Sequence, residues 1–185
     1  RIVIMKIGAK SENNDVFIQN VKHIAQLEHP NIVAVHDVGE LEDGRPFYTV
    51  RLSSGLSMQA AIQRVRNVKG DDSWTFRRLI ESYRKVVLAV GYASTLSVYH
   101  SNLKTENVIL GRYGEVLVSN WIRMDVVSAS IEHNIVESLG WMLFQILTGS
   151  DANTVLSPLQ AEQLLDNSSS LCPPTLAQLC KDACR

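Results

Sequence analysis

The residues best placed to do chemistry lie at positions 99–122, in the stretch Y-H-S-N-L-K-T-E-N-V-I-L-G-R-Y-G-E-V-L-V-S-N-W-I. Its first part is a loop dense in imidazole, amide, ammonium and carboxylate groups: His100, Asn102, Lys104, Glu106 and Asn107. Asn120 stands near its end. An amide donates and accepts hydrogen bonds but has no basic carboxylate, so Asn102 and Asn120 can hold geometry without taking a proton from a hydroxyl. The nearest carboxylates are Glu106 and Asp125. A second possible chemistry is thiol chemistry at Cys172, Cys180 and Cys184, all near the C-terminus. Cys180 and Cys184 share a face if that segment is helical, yet a metal would need further soft or imidazole ligands that the neighbourhood does not offer. Ordinary packing or free thiols are the expectation, and an odd count without a framework fits a reducing, cytoplasmic setting.

Those residues need elements to position them. The apolar triplet Val108, Ile109, Leu110, the reversal at residues 111–114 and the run at 116–118 predict a β-hairpin directly after the polar loop. Residues 1–7 alternate around Ile2, Ile4 and Lys6 and read as a strand. Residues 14–27 carry Phe17, Val21, Ile24 and Leu27 at helical spacing. Runs at 32–38 and 47–52 flank Glu42-Asp43-Gly44-Arg45 and predict a second hairpin. A short helix is expected at 56–65, a polar loop at 67–73, and a long amphipathic helix at 74–96, where Phe76, Leu79, Ile80, Tyr83, Val86, Val87, Val90 and Tyr92 recur at three and four. Residues 134–149 read as a buried helix, 156–165 as another, and Cys172-Pro173-Pro174 opens a last helix reaching Cys184.

Several of these blocks resemble one family. H-S-N-L-K-T-E-N followed by N-W-I resembles the catalytic loop and metal-binding hairpin of protein kinases, H-R-D-L-K-x-x-N and D-F-G, and especially the bacterial serine/threonine kinases with D-W-G. V-I-M-K resembles the kinase V-A-I-K, L-E-H-P-N-I-V the end of helix αC, and S-L-G-W-M-L-F-Q-I-L-T-G helix αF. The resemblance implies that Lys6 is the phosphate-binding lysine, that Val50 stands near the gatekeeper beside an adenine-facing hinge at 51–54, and that Lys104 and Asn107 keep their loop positions. It also implies four losses: Asn102 for the catalytic Asp, Asn120 for the metal-holding Asp, Asn20 for the Glu that pairs with the lysine, and Ile135 for the αF Asp that anchors the loop. Asn107 remains as the obvious motif-derived oxygen ligand for Mg²⁺, which prefers carboxylates plus phosphates. Ser101 replaces the arginine of H-R-D, Ile122 replaces the glycine of D-W-G, and neither a glycine-rich loop nor an A-P-E motif is found.

The fold class so implied is α+β, a two-lobed protein-kinase-like fold in reduced form. Residues 1–52 would form a small β-sheet plus αC lobe lacking strands one and two. Residues 53–185 would form a mainly helical lobe lacking the activation segment and final helix. The expectation drawn from Asn102, Asn120, Ser101 and Ile122, with the missing glycine-rich loop and activation segment, is a pared-down bacterial pseudokinase: no enzyme, no cofactor, no metal, and a protein-binding or scaffolding subunit of a larger assembly. Its alternative is a metal-independent nucleotide sensor. With 18 basic and 19 acidic residues in 185, a formal net charge of -1 and 45% hydrophobic residues, the chain can bury a core and shows no basic bias toward nucleic acid. Residues 135–147 are too short and too polar, with Glu137 and Gln145, to span a bilayer.

Overall fold

The computed structural model describes residues 2–9, 13–67, 74–121, 129–150, 158–167 and 173–183. The arrangement is α+β, with two small antiparallel sheets and helices packed about them. The first sheet has the order β1-β3-β2, formed by β1 (Val3–Ile7), β2 (Val35–Glu40) and β3 (Pro46–Arg51). Lys6 pairs with Tyr48 and Ile4 with Val50 across β1 and β3. The β2–β3 reversal closes on Gly44, whose φ of 82° suits a residue without a Cβ. A bulge between Val35 and Asp37 shifts the β2 register.

α1 (Asn14–Ala25) lies against this sheet. Asn13 starts it, its side-chain oxygen accepting from the Asp15 N–H at 3.0 Å, which satisfies one of the amides that a first helical turn leaves unpaired. Val21 and Phe17 then pack with Val33, Tyr48 and Val50 in a small core beneath the sheet.

The second sheet, β4-β5-β6, contains β4 (Leu56–Ser57), β5 (Val108–Leu110) and β6 (Val116–Val118). The hairpin at 108–118 is as expected, but residues 56–57 are strand, not helix. Leu56 pairs with Leu110 and Ser57 with Ile109, and α2 (Met58–Asn67) starts only after them. Two residues show no period, so the pairing overrides the helical pattern of the segment they open. The rest of the 67–73 loop lies outside the described residues.

The long helix is α3 (Phe76–Thr95), capped by the Thr75 hydroxyl accepting from the Arg78 N–H at 3.2 Å. Arg78 lies over the Trp74 ring and its Nη2 donates to the carbonyls of Gly111 and Arg112 at 3.0 and 3.1 Å. Lys85 donates to the Gly114 carbonyl at 2.8 Å. α3 thereby clamps the tight end of the β5–β6 hairpin. α4 (Ala129–Thr148) begins five residues before the expected start at 134, and its Met142 and Ile146 join Val86, Val90, Val108 and Val118 in the main core. α5 (Pro158–Asn167) and α6 (Pro174–Ala183) close a second core around Phe144, Leu147 and Cys180. Cys180 is a buried thiol that donates to the Gly140 carbonyl, a packing role as expected; Cys172 and Cys184 lie outside the described residues. Among the described residues, no helix is long and apolar enough to cross a membrane.

Candidate functional site

The segment His29-Pro30-Asn31-Ile32-Val33 joins the two sheets. The Val33 N–H donates to the Val118 carbonyl at 3.0 Å, and the Val118 N–H donates to the Asn31 carbonyl at 2.8 Å. Asn31 Nδ2 also reaches the Val116 carbonyl at 2.9 Å. With β6 stitched to the exit of α1 in this way, the residues that follow β6 arrive beneath β1 and β3. Asn120 is one of them, held at a φ of 62°, a left-handed conformation that asparagine adopts more readily than most residues.

There the side chains form a chain of hydrogen bonds across the cleft. The Lys6 ammonium donates to Asn120 Oδ1, and Asn120 Nδ2 donates to Asn107 Oδ1 at 2.6 Å. Asn107 Nδ2 then donates to the Asn102 carbonyl at 2.8 Å. The loop is fixed from below by His100, whose Nε2 donates to the Ser119 carbonyl at 2.9 Å while Nδ1 accepts the Asn102 N–H at 3.1 Å. Those two bonds set the neutral tautomer, and the ring lies 4.8 Å from that of Trp121. Burial, with a smaller contribution from the Lys6 charge, holds the His100 pKa below the usual imidazole range, while the bond to Ser119 opposes the shift. Burial also lowers the pKa of Lys6 and raises that of Tyr48, whose ring centroid is 5.8 Å from the Lys6 ammonium.

Two adjoining cavities flank this chain and share Lys6, Ile24, Tyr48, Asn120 and Trp121. One, of about 320 Å³, is mostly apolar and runs along Val33, Val35, Val50 and Arg51 toward Glu106. The other, of about 490 Å³, brings in Asn20, Asn102, Lys104 and Asn107. A flat heterocycle would find apolar walls in the first, and an anionic group would find ammonium and amide donors in the second. The three ion pairs among the described residues, Arg45 with Asp43, Arg77 with Glu81 and Lys181 with Asp166, lie away from the cleft.

Of the positions singled out in the sequence, Lys6, Asn20, Asn102, Lys104, Asn107 and Asn120 line one cavity and Val50 lines its neighbour. Ile135 does not join them; it is buried in the main core. Asn102 ties the loop through its backbone N–H and C=O and is exposed where it lines the cavity. The sequence reading passed over Tyr48 and Ser119. Tyr48 was within reach of it, because it alternates with Val50 on β3 and so shares the inward face. Ser119 carried no signal of its own, since its part is played by its carbonyl and by its hydroxyl bond to the Asn107 carbonyl. Ile122 and Asp125 lie outside the described residues.

Comparison with known proteins places these features in a family. Residues 1–142 match the family model described as protein tyrosine and serine/threonine kinase. The chain is 27% identical over 128 residues to the serine/threonine-protein kinase PknD of Protochlamydia amoebophila, covering 66% of this chain and 13% of that protein. It is 27% identical over 126 residues to the probable serine/threonine-protein kinase PknB of Lactococcus lactis, covering 65% and 19%. Against the serine/threonine-protein kinase PrkC of Bacillus subtilis it is 23% identical over 186 residues, covering 81% and 28%. The chain thus spans between 13% and 28% of the length of these bacterial relatives. They also correct one expectation. The amides at 102 and 120, with the missing glycine-rich loop and activation segment, suggested a protein that is no enzyme, whereas the relatives are named as kinases and the homology points to kinase. The α+β arrangement, the H-P-N-I-V link between sheets and the match over residues 1–142 lead to one statement: the chain belongs to the protein tyrosine and serine/threonine kinase family, in a reduced form of its fold.

Proposed function

We propose that this chain is the nucleotide-binding part of a larger kinase-family protein, with residues 1–52 and 53–185 as its two lobes and the paired cavities beneath β3 as the nucleotide site. The observation that carries the reading is the chain from Lys6 through Asn120 to Asn107, which holds an ammonium and several amide donors at the edge of an apolar slot. Base and phosphates are matched by different parts of one continuous cleft. Serine/threonine phosphorylation, the activity in the relatives' names, has nucleotide binding as its first step, and that step is the one this geometry supports.

Thermal unfolding tests the reading. A ligand that binds only the native state at a hundred times its Kd adds about 2.7 kcal/mol. For a chain of this size each kcal/mol is worth about 2–4 °C in Tm. ATP or ADP is therefore expected to raise Tm by roughly 5–10 °C. Lys6→Ala is expected to remove most of that rise. A Tm indifferent to millimolar nucleotide would contradict the reading.

A second role, protein binding, is favoured by the outer strand of the first sheet. Ile2, Val3, Ile4, Met5 and Ile7 are all exposed, and among the described residues β1 pairs on one edge only. An apolar edge strand of this kind is a ready template for a further strand. We infer that another segment of the full-length protein, or a partner chain, covers it. Amide exchange at β1 should be slow in the full-length protein and fast in the 185-residue chain alone; equal rates would contradict this role.

A further inference from the structure

The fold family implies Mg²⁺ beside the nucleotide phosphates, and the donor set of this cleft does not fit it. Mg²⁺ is held by carboxylates together with phosphates and water, in near-ideal octahedral geometry. Here the two side-chain oxygens that would face it are neutral amide oxygens, and each already accepts a hydrogen bond: Asn107 Oδ1 from Asn120 Nδ2, and Asn120 Oδ1 from the Lys6 ammonium. A cation bound at Asn120 would sit against that ammonium. Among the described residues, no group of three or more His, Cys, Asp or Glu is placed to hold a metal ion. The larger cavity is lined by Lys6, Lys104, Asn20, Asn102, Asn107 and Asn120, with no carboxylate among its described lining residues. Glu106 lines the adjoining apolar cavity and a further pocket that it shares with Asn102 and Lys104.

We propose that this cleft selects the metal-free form of a nucleoside di- or triphosphate, the two lysines and four asparagines taking the place of the cation, so that Mg²⁺ opposes binding. The proposal rests on the nucleotide reading above and gives it a sign. Two ammonium groups attract an uncomplexed polyphosphate more strongly than one whose charge Mg²⁺ has already offset. Amide N–H groups donate to phosphate oxygens without competing for a metal. A carboxylate at position 120 would do the opposite, pairing with Lys6 and repelling a bare phosphate until a cation intervened.

The test is fluorescence anisotropy of ADP carrying a methylanthraniloyl group on its ribose, titrated with the 185-residue chain in EDTA and again in millimolar Mg²⁺. Binding in EDTA is expected to be tighter by about tenfold. In the Asn120→Asp chain the order should reverse, with weaker binding in EDTA and recovery on adding Mg²⁺. Equal affinity in the two buffers, or tighter binding with Mg²⁺, would overturn the proposal while leaving nucleotide binding standing. No binding in either buffer would overturn the nucleotide reading and this inference with it. Should Asn120→Asp fail to fold, judged by circular dichroism, the wild-type comparison still decides.

Discussion

Lys6 and His100 both bond to the short segment Ser119 to Trp121, Lys6 half-buried and His100 buried, each at a cost to its charged form. For His100 the folded pKa is lowered, so the unfolded chain binds its proton more readily. Its contribution to stability is therefore complete above the ordinary imidazole pKa of about 6.5 and is lost as pH falls below that value toward the folded one. A proton on Nδ1 would also remove the acceptor for the Asn102 N–H, loosening the loop that carries Asn107. Urea unfolding at mildly acidic and neutral pH should show His100→Phe less stable than wild type at neutrality but flatter below it. The difference in slope is expected to be at most about 1.4 kcal/mol per pH unit. Parallel slopes would mean that the ring titrates in the folded chain as it does in the unfolded one. Lys6 follows the same sign, and a bound phosphate would draw its pKa back up. Nucleotide affinity is accordingly expected to weaken as pH rises toward the lysine range, which calorimetry in buffers of rising pH would follow.

Between the residues and the fold stand three devices: the H-P-N-I-V segment bonded to β6, α3 gripping the β5–β6 turn through Arg78 and Lys85, and β4 laid against β5. The last depends on a close approach. A Cβ at Gly55 would come within 2.4 Å of the Leu110 carbonyl oxygen, a backbone atom that cannot swing aside. Gly55→Ala is expected to cost about 1–3 kcal/mol by chemical denaturation; an unchanged midpoint would show that β4 can move off. Much of this level was legible beforehand. The helix spacing of 76–95, the Gly-rich reversals and the alternating runs carry periods that burial imposes on sequence, and the family's motifs set the order. What was not legible was contact-driven: β4 is too short to show a period of its own. The site was legible as to residue type but not arrangement. Nothing in N-L-K-T-E-N says that the amide of Asn107 would turn between Asn120 and the Asn102 carbonyl, or that Asn120 would meet Lys6, 114 residues away in the chain.

At the scale of the molecule, a small sheet with α1 stands over a larger helical body, and the cleft between β3 and the 119–121 segment is where the two cores approach. Ile135 belongs to this level. Where the resemblance led to a polar anchor, the chain puts a β-branched side chain into the main core, so its contribution is packing. Ile135→Ala should destabilise by about 2–5 kcal/mol in equilibrium unfolding while leaving nucleotide affinity unchanged at temperatures where the chain stays folded. A loss of affinity with little loss of stability would instead make it part of the site. The same separation of roles applies to β1, whose inward side carries Lys6 to the cleft while its apolar residues remain exposed. One strand thus serves the nucleotide site and the surface we assign to another segment or chain.

The most direct measurement is a calorimetric titration of ATP in EDTA into the 185-residue chain and into Lys6→Ala. One bound nucleotide per chain is expected, with affinity at least about tenfold weaker in Lys6→Ala, the loss of one charge-assisted contact. Binding that is absent from the wild type, or equally strong without Lys6, would contradict the account.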